Sequence, residues 1–232
     1  MAGRTENLLS SGIYTVPDAA RLTRVSTGRI RRWLQGYKFR TKKKEHHSRA
    51  LWHGQLEPIE RSLALGFLDL IEIRFVAAIR NAGVSWAMLR KAHEKGVDLF
   101  KTDHPFCTRG FVTDGREIFV ELHKETGERS LLSIVNSQHV FIEVIRPFLK
   151  ELEFDANHTT LLRWRPATSR RLVVLDPTRN FGRPIIFRHG VPTEILASAA
   201  KVCDSVEDVS RWYEVTTAEV EDAVEFERLL AA

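Results

Sequence analysis

Residues 14–37 read YTVPDAARLTRVSTGRIRRWLQGY. Pro17 stands at a first-turn position and Asp18 lies near the positive end of a helix dipole, so a short helix is expected over Val16 to Leu22. Thr23, Arg24 and Val25 interrupt it. Ser26 or Thr27 can then cap a second helix running to about Leu34, where Gly36 supplies a stop. Ala19, Ala20, Leu22, Val25, Ile30 and Leu34 can share a small core, while Arg21, Arg24, Arg29, Arg31 and Arg32 stay outside. Helix, three-residue turn and helix at a steep angle is the expected unit.

Charge is unevenly placed along the 232 residues, whose net value is only +5. Between Arg21 and Arg49 eleven Arg or Lys stand against one acid, Glu45, whereas Asp204 to Glu227 holds nine acids against Arg211 alone. One end suits an anion and the other does not. A hydrophobic share of 43% and a charged share of 28% are those of a soluble globular protein. No apolar run approaches the roughly 20 residues of a membrane helix. The opening MAGRTENLLSSG lacks the apolar core of a secretory signal, so the expected place is the cytoplasm, where Cys107 and Cys203 are ordinary thiols. The length holds two or three small domains.

After Gly36, the segment YKFRTKKKEHHSRALWHG has Tyr37, Phe39, Leu51 and Trp52 on either side of a basic middle, which reads as a β-hairpin wing with a charged tip. LALGFLDLIEIRFVAAIRNAG then predicts a helix ending at Gly83, with Ser62 placed to cap it. Its apolar residues cover more than one face, so it must be widely buried, in its own chain or at a subunit interface. Ser85 caps a further helix, Trp86 to about Glu94, closed by Gly96. From Phe111 the pattern reads as period two: VTDGRE places Asp114 and Gly115 in a tight turn, and KETGER turns again before LLSIV, giving a small antiparallel meander. His139 to Leu152 reads as a helix kinked at Pro147. Strands TTLLRW, RLVVL and PIIF follow, then helices at about Thr193 to Val202, Ser205 to Tyr213 and Thr216 to Leu230.

A major groove admits an α-helix, arginine can pair with guanine, and hydroxyls hold phosphates. Ser26, Thr27, Arg29, Arg31 and Arg32, with Arg24 in the turn, are the candidate DNA contacts. Lys38, Arg40, Lys42, Lys43, Lys44 and Arg49 extend them along the backbone or into a minor groove. His46 and His47 sit among cations, and neither cysteine has a well-spaced partner, so no metal site is expected. No G-x-S-x-G, Walker loop or H-E-x-x-H supports catalysis, and His104, Cys107 and Asp114 form a triad only on paper. Neither an enzyme nor a cofactor is expected.

TVPDAARLTRVSTGRIRRWL and SLALGFLDLIEIRFVAAIRNAGVS resemble the N-terminal winged helix-turn-helix of the MerR family over residues 13–95. MerR proteins usually continue into a dimerising coiled coil and an effector domain; the meander expected here departs from that pattern. The C-terminal stretch VVLDPTRNFGRPIIFRHGVPTEILASAAKVCDSVEDVSRWYEVTTAEVEDAV resembles a short antitoxin domain long catalogued as a domain of unknown function. Asp176, Pro177, Gly182, Arg183, Pro184, Arg188, Val191, Pro192, Ser205, Glu207, Asp208 and Tyr213 fit its pattern, and Phe187 and Asp204 depart from it. The whole is similar to VapB-type antitoxins, and that resemblance implies a PIN-like ribonuclease toxin as partner.

The expected fold class is α+β: an N-terminal winged helix-turn-helix domain over 1–95, a central small antiparallel β region with a linking helix over 96–168, and a C-terminal strand plus three-helix domain over 169–232. Operator DNA, a PIN-like toxin and a second copy of the chain are the expected partners. Arg183, Arg188, Trp212, Tyr213 and Phe226 are the candidate toxin contacts. The rival reading is a MerR-like, ligand-responsive regulator whose central meander holds a small molecule.

Overall fold

The architecture is taken from a computed structural model, which describes residues 10–40, 45–131, 145, 148, 150–156, 160–203 and 205–231, with the side chains of 112–114 and 130 left out. It is α+β. Strand β1 (Tyr14–Thr15) leads into helix α1 (Val16–Thr23) and, after a turn, α2 (Thr27–Gln35). Thr15 and Asp18 form a capping box at the start of α1, with Pro17 in the first turn, and Arg24 in the left-handed region at φ 59° closes the helix. A hairpin of β2 (Tyr37–Arg40) and β3 (Glu45–Ser48) follows directly. Strand β4 (Ala64–Leu65) pairs back to β1 and introduces α3 (Phe67–Asn81) and α4 (Trp86–Phe100).

Helix α3 starts at Gly66, not near Ser62, because Asp69 in its first turn accepts the Gly66 amide at 2.8 Å. Phe67, Leu70, Ile71, Ile73, Phe75, Val76 and Ile79 are all buried within the chain, so the apolar faces of this helix are consumed by its own neighbours and are not free for a second subunit. Arg74 reaches out of α3 to Glu151 at 2.8 Å and lies 4.1 Å from the centroid of the Trp164 ring, which fastens the helix to the sheet beyond. Helix α4 passes through Gly96 instead of stopping there. A Cβ at that position would lie 2.8 Å from Pro105, so this glycine serves a close approach and not a helix end.

The meander expected after Phe111 is not formed. Arg109–Thr126 is one helix, α5, capped by Thr108, whose hydroxyl accepts the Phe111 amide at 3.1 Å. Buried Phe111, Gly115, Ile118, Phe119 and Leu122 recur at the helical period, so Asp114 and Gly115 lie inside the helix and make no turn. Gly127, read as a second hairpin turn, is the left-handed C-cap of α5 at φ 64°. Beyond Leu131 the expected strand and most of the expected helix at His139 to Leu152, with Pro147, lie outside the described residues.

The antiparallel sheet lies later in the chain. β5 (Leu152–Phe154), β6 (Leu161–Trp164), β7 (Val173–Leu175) and β8 (Pro184–Ile186) pair in that order. Helices α6 (Thr193–Cys203), α7 (Val206–Trp212) and α8 (Thr217–Ala231) complete the C-terminal unit. Buried Asp222 of α8 ties them to the approach of β7: it accepts from Thr168 Oγ1 at 2.8 Å, the Arg170 amide at 3.1 Å and the Leu172 amide at 2.7 Å. The two ends of the chain are also joined. The buried Tyr14 hydroxyl donates to the Gly182 carbonyl at 2.6 Å, the Ile13 amide donates to the Phe181 carbonyl at 2.9 Å, and α8 lies against α1.

Where α3 and α4 meet the turn at Pro105–Cys107, several titratable groups are buried together. Glu72 accepts the Phe106 amide at 2.9 Å, and its second oxygen lies 3.8 Å from His93 Nε2. Burial pushes the Glu72 carboxyl well above its ordinary range. Burial first, then the charges of His104 and Arg90, hold His93 down to about 4. Near pH 7 His93 is therefore neutral, and its proximity to Glu72 is not an ion pair. The folded pKa of His93 is the depressed one, so its contribution to stability is complete above the unfolded value near 6.5 and is lost as pH falls towards 4. Glu72 has the opposite sign, so the test is differential. In denaturant titrations the variant His93→Gln should gain roughly 3 kcal/mol on the wild type between pH 6.5 and pH 4, relative to their difference at neutral pH.

Candidate nucleic-acid interface

Helix α2 divides its residues cleanly. Ile30, Trp33 and Leu34 are buried, and Thr27, Gly28, Arg29, Arg31, Arg32 and Gln35 are exposed. Trp33 is the anchor behind it: its ring stacks on Trp86 of α4 with centroids 5.9 Å apart, and its carbonyl accepts the Leu51 amide at 2.7 Å. Ser26 stands at the N-cap without a capping hydrogen bond from its side chain. The exposed face carries three guanidinium groups and no acid.

The joint between α2 and the hairpin depends on Gly36. Its φ is +72°, and a Cβ there would lie 2.4 Å from the Ser48 carbonyl oxygen. The returning strand is held from below by Arg90 of α4, which donates to the Ala50 carbonyl at 2.6 Å and to the Arg49 carbonyl at 2.9 Å. Helix and hairpin are thus set at a fixed angle by contacts from α4, about 40 to 50 residues away in sequence.

Ser26, Thr27, Arg29, Arg31 and Arg32 lie exposed on or at the start of α2, and Lys38 and Arg40 are exposed on the hairpin. Lys38 lies 3.8 Å from Glu45, and Arg49 lies 3.8 Å from Glu94, both on the surface and worth little as pairs. Lys42, Lys43 and Lys44 are outside the described residues. Arg24 departs from the set. Its Nη2 donates to the Leu229 carbonyl at 2.8 Å while Arg21 pairs with Glu227 at 3.3 Å, so these two arginines serve the contact between α1 and α8.

At the other end, Arg183 pairs with Glu194 at 3.2 Å beside a cleft of about 790 Å³ between α1 and the C-terminal unit, and Arg188 is exposed. Trp212, at 66% exposure, and Tyr213 close α7 on the surface. Phe226 does not join them. It is only 3% exposed and belongs to the core, because α8 turns that face onto the rest of the chain. The acidic run is largely engaged within the chain as well: Asp208, Glu219, Glu221, Asp222, Glu225 and Glu227 all accept hydrogen bonds from it. Asp204 is outside the described residues.

Among the described residues no group of three or more His, Cys, Asp or Glu is placed to hold a metal ion, and no helix is long and apolar enough to cross a membrane. His104 and Cys107 are both buried; burial pushes the Cys107 thiol well up, and it donates to the Leu68 carbonyl at 3.3 Å.

Comparison with known proteins agrees with this geometry. Residues 12–93 match a family model described as "Putative DNA-binding HTH domain". The N-terminal unit is a helix-turn-helix domain. Over 226 residues the chain is 25% identical to "Putative antitoxin VapB45" of Mycobacterium tuberculosis strain H37Rv, an alignment covering 92% of each protein. The crystal structure of Rv2018 from Mycobacterium tuberculosis shares the fold, with a TM-score of 0.68 and 21% identity over 91% of this chain and 96% of that one.

Sequence reasoning missed Trp33 and Arg90 as supports. Trp33 was visible at one helical step from Ile30, whereas nothing local ties Arg90 to the hairpin. Two glycines separate support from surface. Gly28→Ala, whose Cβ meets only Arg32 at 4.0 Å, should stabilise the fold by about 0.5–1 kcal/mol. Gly36→Ala should destabilise it by more than about 1 kcal/mol through left-handed strain and the clash with Ser48. Chemical denaturation of the two variants checks both signs.

Proposed function

We propose that this chain is a DNA-binding antitoxin of the VapB kind, and not an enzyme, that represses its own promoter in the cytoplasm and silences a PIN-like ribonuclease toxin. The observation that carries the DNA half is the acid-free exposed face of α2, bearing Arg29, Arg31 and Arg32 and continuous with the basic hairpin. In this reading α2 lies in a major groove and the hairpin serves as a wing along the neighbouring backbone. Support for the toxin half is the 25% identity, along 92% of both proteins, to a relative named as an antitoxin. Two-fold operators are matched by two-fold proteins, so a homodimer is part of the proposal. Since the apolar faces of α3 are buried internally, the C-terminal helices are the surface left to supply it.

The rival reading, a ligand-responsive regulator of the MerR kind, placed its small molecule in a central meander. Helix α5 occupies Arg109–Thr126, where that meander was expected to begin, which speaks against the rival.

Two experiments test the proposal separately. On DNA from upstream of its own coding sequence, affinity should fall steeply with salt; Arg29→Ala or Arg32→Ala should cost about 1–3 kcal/mol and relax sequence preference. Gel shifts showing equal affinity for random duplex would refute this half. Co-expression with the nuclease encoded beside it should restore growth only when the C-terminal unit is intact. Trp212→Ala, on an exposed side chain, should weaken the copurified complex about tenfold or more while leaving promoter binding unchanged. Unaltered capture of the nuclease by that variant would remove Trp212 from the interface.

A further inference from the structure

The hairpin has two faces of different chemistry. Its register sets Tyr37 opposite Ser48 and Phe39 opposite His46, and sets Lys38 opposite His47 and Arg40 opposite Glu45. Alternation therefore places Tyr37 and Phe39 together on one face and Lys38 and Arg40 on the other. Core packing does not account for the aromatic face, because Tyr37 is 38% exposed and Phe39 43%.

The rings form a continuous series. Tyr37 and Phe39 have centroids 5.6 Å apart, and Phe39 and His46 are stacked at 5.1 Å with planes 15° apart. The guanidinium of Arg32, on the exposed side of α2, lies 5.9 Å from the Tyr37 ring centroid. A row of π-faces thus runs from the surface of α2 out along the hairpin, with cations at its start and on its reverse side. Base edges and sugars stack on such faces, and the adjacent cations hold the phosphates on either side.

Resting on the DNA-binding reading above, we infer that Tyr37 and Phe39 form a stacking wedge for duplex DNA. They enter the minor groove beside the major groove that receives α2, and unstack a base step there. Apolar side chains placed in a minor groove kink flexible pyrimidine–purine steps. The protein therefore selects its site partly by deformability, at base pairs that no arginine touches. A duplex is the occupant because the aromatic row is continuous with the exposed face of α2, a helix that fits a major groove.

The test uses the full chain and duplexes from upstream of its own coding sequence, with 2-aminopurine stepped through the positions flanking the protected region. The same oligonucleotides in single-stranded form are included. Wild-type protein should raise the fluorescence at one step, reporting unstacking. Phe39→Ala should abolish that rise and lose about tenfold in affinity with an unchanged salt slope, because no phosphate contact is lost. Phe39→Trp should keep the signal, and Lys38→Ala should flatten the salt slope while keeping it. Circular dichroism on each variant confirms that the fold persists. The inference is overturned if Phe39→Ala binds and unstacks as the wild type does, if no position brightens, or if the single strand is preferred to the duplex. Duplex binding without any effect of Phe39 defeats the wedge alone. Absence of duplex binding by the wild type defeats the DNA reading with it.

Discussion

A single carboxylate without solvent exposure sets the geometry of the N-terminal unit. Asp69 accepts from Trp52 Nε1 at 2.8 Å, from the Gln55 amide at 3.0 Å and from the Gly66 amide at 2.8 Å. Those donors come from the segment leaving the hairpin and from the start of α3, so one side chain joins the two. Burying a charge is expensive, and burial does push this carboxyl up, against the pull of His104 and the three donors. Trp52, held in this way, stacks on His93 of α4 at 6.3 Å, and its neighbour Leu51 bonds to Trp33 of α2. The exposed arginines of α2 are therefore positioned by a chain of contacts that begins at a buried acid.

The second organising contact joins the ends of the chain. Arg21 and Arg24 belong by sequence to the basic cluster, yet they bond to Glu227 and to the Leu229 carbonyl of α8. Counting charge along the sequence assigned the basic run to one partner and the acidic run to another. In the fold part of each run neutralises the other. What remains outward at the N-terminal end is α2 and the hairpin, and what remains outward at the C-terminal end is more apolar than acidic, with Val202 at 85% and Trp212 at 66% exposure.

The helix-turn-helix was legible because its signals are local: a capping residue, Pro17, and apolar positions at helical spacing. The hairpin followed from aromatic residues on both sides of a charged tip, and the three last helices from their N-terminal Ser or Thr. The central error has an equally local origin. Asp114-Gly115 is a strong turn pair and Gly127 a second turn signal, and both mask the period of Phe111, Ile118, Phe119 and Leu122, which belongs to a helix. At the candidate interface, residue types showed which side chains are cationic but not which are engaged elsewhere in the chain. Arg24 is bonded to α8 and Phe226 is packed in the core, through partners that lie far away in sequence.

The distribution of supports also explains why a basic composition alone is a poor guide to the reading surface. Any surface cation contributes to affinity for a polyanion, with a strength set by salt. Sequence selection needs side chains whose positions are fixed before DNA arrives, since otherwise ordering them on binding offsets much of the gain. In α2 that fixing comes from Trp33 packed on Trp86. In the hairpin it comes from Gly36, whose conformation admits the Ser48 carbonyl, and from Arg90 beneath Arg49 and Ala50. Arg29 and Arg32 stand on this supported frame, and Tyr37 and Phe39 are carried on it by the strand that leaves α2. On the proposed reading, discrimination between sequences belongs to those few side chains, and the wider basic run supplies attraction without information.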